Sequence, residues 1–170
     1  FDETGGDGID LIKSLVNVDL TGDSTIENIT LLDNADSSKS PLEATGNDLN
    51  NIIIGNNGDL TNGGDFLSGG KGNDVINGNG GDDSLIGGSD NDVLDGGLGA
   101  DTMIGGEGND VYYIRDANDK LVALNVHLGK NCGIFRPIGL KRRAKRNVPT
   151  VYEEQNRPGM ELFSLQFLGP

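Results

Sequence analysis

Leu67, Ile76, Leu85, Leu94, Met103 and Tyr112 stand nine residues apart, each the middle of a short β-favouring triplet: FLS, VIN, SLI, VLD, TMI and VYY. With 34% of the chain hydrophobic, chance would fill all six places about 0.0015 of the time, 0.34 to the sixth power. No helical period runs through this stretch. A unit of three β-favouring and six turn-forming residues predicts a solenoid of short strands and tight turns. Two units would close one coil of about 18 residues, so that alternate units fall on the same side. The expected fold class is all-β, a parallel β-roll with its eighth-place side chains stacked inside.

The polar part of the unit is as regular. Reading in nines from Gly69 gives GGKGNDVIN, GNGGDDSLI, GGSDNDVLD, GGLGADTMI and GGEGNDVYY, ending at Tyr113. A looser copy ahead of these keeps Gly63, Asp65 and Leu67 at the fourth, sixth and eighth places. The sixth place is Asp65, Asp74, Asp83, Asp92, Asp101 and Asp110 without exception. Glycine accompanies aspartate for a mechanical reason. A six-residue turn that doubles back and points its carbonyls inward needs positive φ or close backbone approach, which glycine accepts most readily. Asn79 at a second place and Asp90 at a fourth depart from this at a conformational cost. GNNGDLTNGG (55–64) is longer than one turn in register. Coiling places Asp74, Asp92 and Asp110 along one edge and Asp65, Asp83 and Asp101 along the other, in rungs roughly 4.8 Å apart.

Unit charges about 5 Å apart repel by roughly 0.8 kcal/mol in water, and by more as water is excluded. Such a column closes only around cations. Carboxylates and backbone carbonyls together make an all-oxygen shell, which suits the large and adaptable coordination of Ca2+. Magnesium demands tighter octahedral geometry and keeps its waters. Zinc prefers nitrogen or sulfur, and residues 46–113 contain no His or Cys.

The nonapeptide G-G-x-G-x-D-x-U-x, with U apolar, is complete in 69–77, 96–104 and 105–113. On these motifs residues 46–119 resemble a hemolysin-type calcium-binding repeat region, the RTX repeats. GGDGIDLIK (5–13) is one further copy, with Asp10 as an additional candidate ligand that has no in-register neighbour in the sequence. The resemblance implies ions between a turn and the turn two units on. These fall between Asp74 and Asp92, Asp92 and Asp110, Asp65 and Asp83, and Asp83 and Asp101, about four in all. It also implies carbonyl ligands from the turns. These are Gly69, Gly70, Lys71 and Gly72; Gly78, Gly80 and Gly81; Gly87, Gly88, Ser89 and Asp90; Gly96, Gly97, Leu98 and Gly99; and Gly105, Gly106, Glu107 and Gly108. The family further implies a bacterial protein exported unfolded by a type I system, which folds on binding calcium outside the cell or at its surface.

Composition sharpens this picture. Residues 1–119 carry 24 Asp and Glu against 4 Lys and Arg, a net of −20, whereas residues 120–170 carry 9 Lys and Arg against 3 Glu, a net of +6. The acidic part calls for cations and not for nucleic acid. With 5% aromatic residues and no tryptophan a broad globular core is not expected. No apolar run is long enough for a transmembrane segment. Cys132 is the only cysteine, which excludes a disulfide framework. His127 is the only histidine, so an H-E-x-x-H zinc motif is excluded, and GGSDN (87–91) fails as a G-x-S-x-G elbow at its last place. No enzyme is expected here.

Three regions follow. Residues 1–45 hold the isolated repeat and a short-strand β segment, in which Val16, Val18 and Leu20 alternate and IENITLL (26–32) is a second β-like run. Residues 46–120 are the calcium-binding roll, and residues 121–170 an atypical basic tail. The tail has three open readings: a frameshifted or spurious end that does not fold, a C-terminal segment serving export or capping the last coil, or a nucleic-acid or membrane-surface patch at KRRAKR (141–146). The chain opens on Phe1 and not Met, so further repeats or an upstream domain of a longer parent protein are expected partners, beside the type I machinery. The expected function is a calcium-binding module that stabilises or spaces an attached domain. The alternative is a calcium-stiffened segment of a large surface adhesin.

Overall fold

The computed structural model describes residues 8–33, 41–58 and 63–122, together with the backbone of three strands nearer the C-terminus. The first seven residues, His127 and KRRAKR (141–146) lie outside the described residues. The first coils hold β1 (Leu11–Ser14), β2 (Val18–Asp19), β3 (Asn28–Leu31), β4 (Glu43–Thr45) and β5 (Ile52–Ile54). The nine-residue array supplies β6 (Phe66–Gly70), β7 (Val75–Asn77), β8 (Ser84–Ser89), β9 (Val93–Asp95), β10 (Thr102–Glu107) and β11 (Val111–Tyr113). After β12 (Lys120–Leu121) the tail contributes β13 (Cys132–Pro137), β14 (Val151–Arg157) and β15 (Met160–Leu165).

Odd and even strands go to opposite walls. From β1 to β11 the odd strands pair in parallel in one sheet, and β2 to β12 form a second, wholly parallel one. The chain therefore winds as a β-roll with one short strand per wall per coil, as the periodicity predicts. In one wall Ile29, Ile53, Ile76, Leu94 and Tyr112 stand in register. In the other the column is Ala44, Leu67, Leu85, Met103 and Leu121. All but Leu121 are buried; along the array the interior is one side chain deep per wall, while Leu20, Ile26, Leu31 and Leu42 add to it in the first coils. The outward-facing Ile52, Phe66 and Val75 are 42–46% exposed, so each wall alternates between a dry face and a wet one.

Both sheets pass residue 45 without a break: β2 pairs with β4, β4 with β6, and β3 with β5. The short strands ahead of the array are thus coils of the same stack. Beyond the single copy that leads into β1, they lack the glycine–aspartate turns but keep the one feature a coil cannot lose, an apolar residue at the interior position, here Ile29 and Ala44. The spacing between equivalent turn positions varies there, 17 residues from Asp10 to Glu27 and 23 from Asn51 to Asp74, against a constant 18 within the array. The long stretch 55–64 lies in this part of the chain, and Asn57 still bridges to Gly80 on the next coil. The tail strand β13 pairs in parallel with β11, and β15 and β14 follow antiparallel. Its backbone therefore extends one wall beyond the last repeat, where an edge strand would otherwise end the sheet.

Because the core is so thin, each interior residue matters. Leu94→Ala should destabilise the calcium-loaded chain by about 2–5 kcal/mol in urea denaturation, and Phe66→Ala on the outer face by less than half as much. Equal effects would contradict the assignment of inner and outer faces.

Candidate metal centre

Between each pair of walls the chain turns in six residues, and the sixth-place aspartate closes the turn just before the strand. Asp65, Asp74, Asp83, Asp92, Asp101 and Asp110 are all buried, at most 6% exposed. One oxygen of each carboxylate is fixed by the coil before it. On one edge the backbone N–H groups of Asn51, Asp74 and Asp92 donate to Oδ1 of Asp74, Asp92 and Asp110 at 2.7, 2.9 and 3.1 Å. On the other edge Leu42, Asp65 and Asp83 donate to Oδ1 of Asp65, Asp83 and Asp101 at 3.0, 2.6 and 2.9 Å. The two edges expected from the period are therefore the ones that form.

In four of the six the second oxygen accepts nothing: Oδ2 of Asp74, Asp83, Asp92 and Asp101 is buried without a hydrogen-bond partner. It lies over the first-place glycine of its own turn. A Cβ on Gly69, Gly78, Gly87, Gly96 or Gly105 would fall on the carboxylate of Asp74, Asp83, Asp92, Asp101 or Asp110. The same Cβ on Gly69 or Gly87 would lie 2.7 or 2.6 Å from the carbonyl oxygen of Gly87 or Gly105 on the next coil. Carboxylate and carbonyl oxygens thus converge on a place no side chain can fill. Among the nominated carbonyls, that of Leu98 accepts the N–H of Gly81 at 3.0 Å. The Lys71 side chain points away from the cradle, its ammonium pairing with Asp48 on the surface.

Close approach also explains the second and fourth glycines. Gly88 (φ +126°) and Gly108 (φ +137°) lie against the carbonyls of Gly70 and Asp90 in the preceding coil, leaving no room for a Cβ. The two departures adopt the same strained hand, with Asn79 at φ +68° and Asp90 at +77°.

Burial pushes these carboxyls up, Asp83 to about 8, Asp74 and Asp92 to about 7, and Asp101 to about 6. The backbone N–H bonds pull each one back, and neighbouring carboxylates push further up, Asp101, Asp65 and Asp82 around Asp83 among them. Asp65 is raised for the same first reason. Stacked, desolvated anions with an unpaired oxygen need a cation. Among the described residues no three His, Cys, Asp or Glu side chains converge on a point. The donors are therefore largely backbone carbonyls, a hard oxygen set that fits Ca2+ and not zinc.

Some members of the columns are absent from the sequence reading. Asp119 takes the N–H of Asp101 at 3.2 Å as the next sixth-place residue, and Leu121 is its eighth-place partner. Counting nine once more from Asp110 and Tyr112 reaches both, although the glycines have gone. Asp10 does have a neighbour in register: its N–H donates to Glu27 Oε2 at 2.8 Å, and Glu27 stands where the array has aspartate. Fifth-place asparagines form a further outer ladder, Asn91 and Asn109 donating their N–H to the side-chain oxygens of Asn73 and Asn91 at 3.1 and 2.8 Å.

The raised carboxyls set a pH dependence for the chain in a chelator. From the ordinary value of 3.8 up to the raised values of about 6 to 8, the roll holds more protons than the unfolded chain. Its stability therefore falls as pH rises through that window and is greatest below it. The β signal in circular dichroism without calcium should be stronger at pH 5 than at pH 8; the reverse order would contradict the burial of ionisable oxygens.

The family model of the RTX calcium-binding nonapeptide repeat (4 copies) matches residues 61–94, 77–112 and 86–121. No curated protein and no solved structure matches the chain. The match falls on the coils that hold the unpaired carboxylate oxygens, and residues 61–121 of this chain belong to the RTX calcium-binding repeats.

Proposed function

We propose that the chain is a calcium-triggered folding module of a secreted bacterial protein, exported unfolded through a type I system and non-catalytic in itself. The observation that carries this reading is the set of buried Asp Oδ2 atoms without partners. In a cytosol poor in calcium, repulsion and desolvation of these carboxylates keep the array open. In an extracellular fluid with calcium near millimolar, binding and folding become one event. Affinities of roughly 10⁻⁴–10⁻³ M, the range of extracellular modules, are sufficient. The folded roll is a stiff parallel stack, suited to stabilising or spacing a domain attached to it. No helix among the described residues is long and apolar enough to cross a membrane, and the reading requires none.

Far-UV circular dichroism of the whole chain during a calcium titration tests this. A cooperative gain of β signal, absent with magnesium at the same concentration, is expected. No change at about 10 mM calcium, roughly tenfold above the weak end of that affinity range, would overturn the reading.

A further inference from the structure

The turns differ at their second place. In turns 69–74, 87–92 and 96–101 this residue is a glycine with φ of +113°, +126° and +93°, and in turn 78–83 it is Asn79 at +68°. These are the turns whose sixth-place Oδ2 is unpaired. Turn 105–110 shares their open second place, with Gly106 at +105°, but the Tyr112 hydroxyl lies in its cradle beside Asp110 Oδ2 and accepts the Gly105 N–H at 2.8 Å. In the turns ending at Asn51, Asp65 and Asp119 the residue aligned with the second place is Asn47, Asn56 or Arg115, none of which has positive φ. There the second-place N–H turns inward and donates to the sixth-place side chain. Asn47 donates to Asn51 Oδ1 at 2.9 Å, Asn56 to Asp65 Oδ2 at 2.8 Å, and Arg115 to Asp119 Oδ2 at 3.0 Å.

Side chains hold these turns shut. The Asn47 amide donates to the Ile26 carbonyl at 2.7 Å and the Asn51 amide to the Glu27 carbonyl at 3.0 Å. The Asn56 amide donates to Asp65 Oδ1 at 3.1 Å. In turn 78–83 the Asn79 amide instead reaches back to the Gly55 carbonyl at 2.6 Å, leaving its own turn open. The surrounding cradle is otherwise the same. A Cβ on Gly46 would fall on Asn51 Oδ1 and the Gly69 carbonyl, and one on Gly55 would meet Asp65 Oδ2 and the Gly78 carbonyl.

We propose that, where no neighbouring side chain fills the cradle, the second-place peptide, and not the sixth-place acid, decides whether a turn takes an ion. Calcium then occupies the four turns ending at Asp74, Asp83, Asp92 and Asp101; the turns ending at Asn51, Asp65 and Asp119 lock themselves with a backbone N–H, and the cradle of turn 105–110 is filled by the Tyr112 hydroxyl. An oxygen that already accepts an N–H gains less from a cation, because the hydrogen bond must be surrendered, whereas an unpaired buried oxygen has nothing to lose. This moves one ion: the place between Asp65 and Asp83 is closed, and one between Asp101 and Asp119 is open. The inference rests on the calcium reading above but fails separately from it.

Native mass spectrometry of the whole chain at saturating calcium counts the ions, with circular dichroism showing that each variant counted is folded. The wild type should carry four. Asn51→Asp adds an acid to a shut turn and should leave the count unchanged. Asn47→Gly combined with Asn51→Asp frees the turn and should add one ion. Asn56→Gly should also add one, since Asp65 is already in place. The two gain variants lie on opposite edges of the roll, so either one that folds decides. A fifth ion in the wild type or in Asn51→Asp alone, or no gain in a folded glycine variant, overturns the proposal. A wild type that takes up no calcium would instead defeat the functional reading itself.

Discussion

Asp74, Asp83, Asp92 and Asp101 are at most 2% exposed, each with Oδ1 fixed by a backbone N–H of the coil before and Oδ2 without a partner. A fold of ordinary proportions can absorb such a charge against a large apolar core. This one cannot, since along the array its interior is a single column of side chains per wall and its strands are as short as three residues. The turns are thus as much of the interior as the core is. Whatever neutralises the carboxylates decides whether the walls come together. The raised carboxyls of the roll without metal are the same fact seen through protons: a proton relieves one charge, and a divalent cation relieves two while gathering carbonyls a proton cannot.

The array was legible in the sequence because its two columns repeat every nine residues. Asp74 to Asp110 and Ile76 to Tyr112 fall into place by counting, and so do the two edges. The coils before residue 46 were not legible as coils. Their interior residues Ile29 and Ala44 sit at irregular spacings, and Glu27 stands where aspartate is expected. A register made by backbone pairing leaves no period when the connecting turns vary in length. Asp119 was missed for a different reason, since the array had been followed by its glycines, and turn 114–119 has none.

The state of a turn lies deeper than its composition. Asn56 and Asn79 are the same residue at the same place of the unit, yet Asn79 has positive φ and Asn56 does not. What separates them is where the side-chain amide finds its acceptor: Asp65 within its own turn for Asn56, and Gly55 on the preceding coil for Asn79. A single-residue reading had marked Asn79 only as a costly substitute for glycine. The cost is real, but asparagine is among the residues that bear it best, and its amide ties two coils together.

Each carboxylate touches two coils at once, and this couples the sites. Oδ1 holds the N–H of the coil before, while Oδ2 belongs to the cradle of its own turn, which the first-place carbonyl of the coil after closes. Fixing Asp92 therefore fixes the backbone at Asp74 below it and favours the placement of Gly105 above it. In a solenoid, where a coil contacts only its neighbours, such links are the principal route by which order passes along the stack. Binding at one turn lowers the conformational cost of forming the next, because part of its geometry is already set. Cooperativity then follows from the shared carboxylate itself, without any change of shape in a coil already formed.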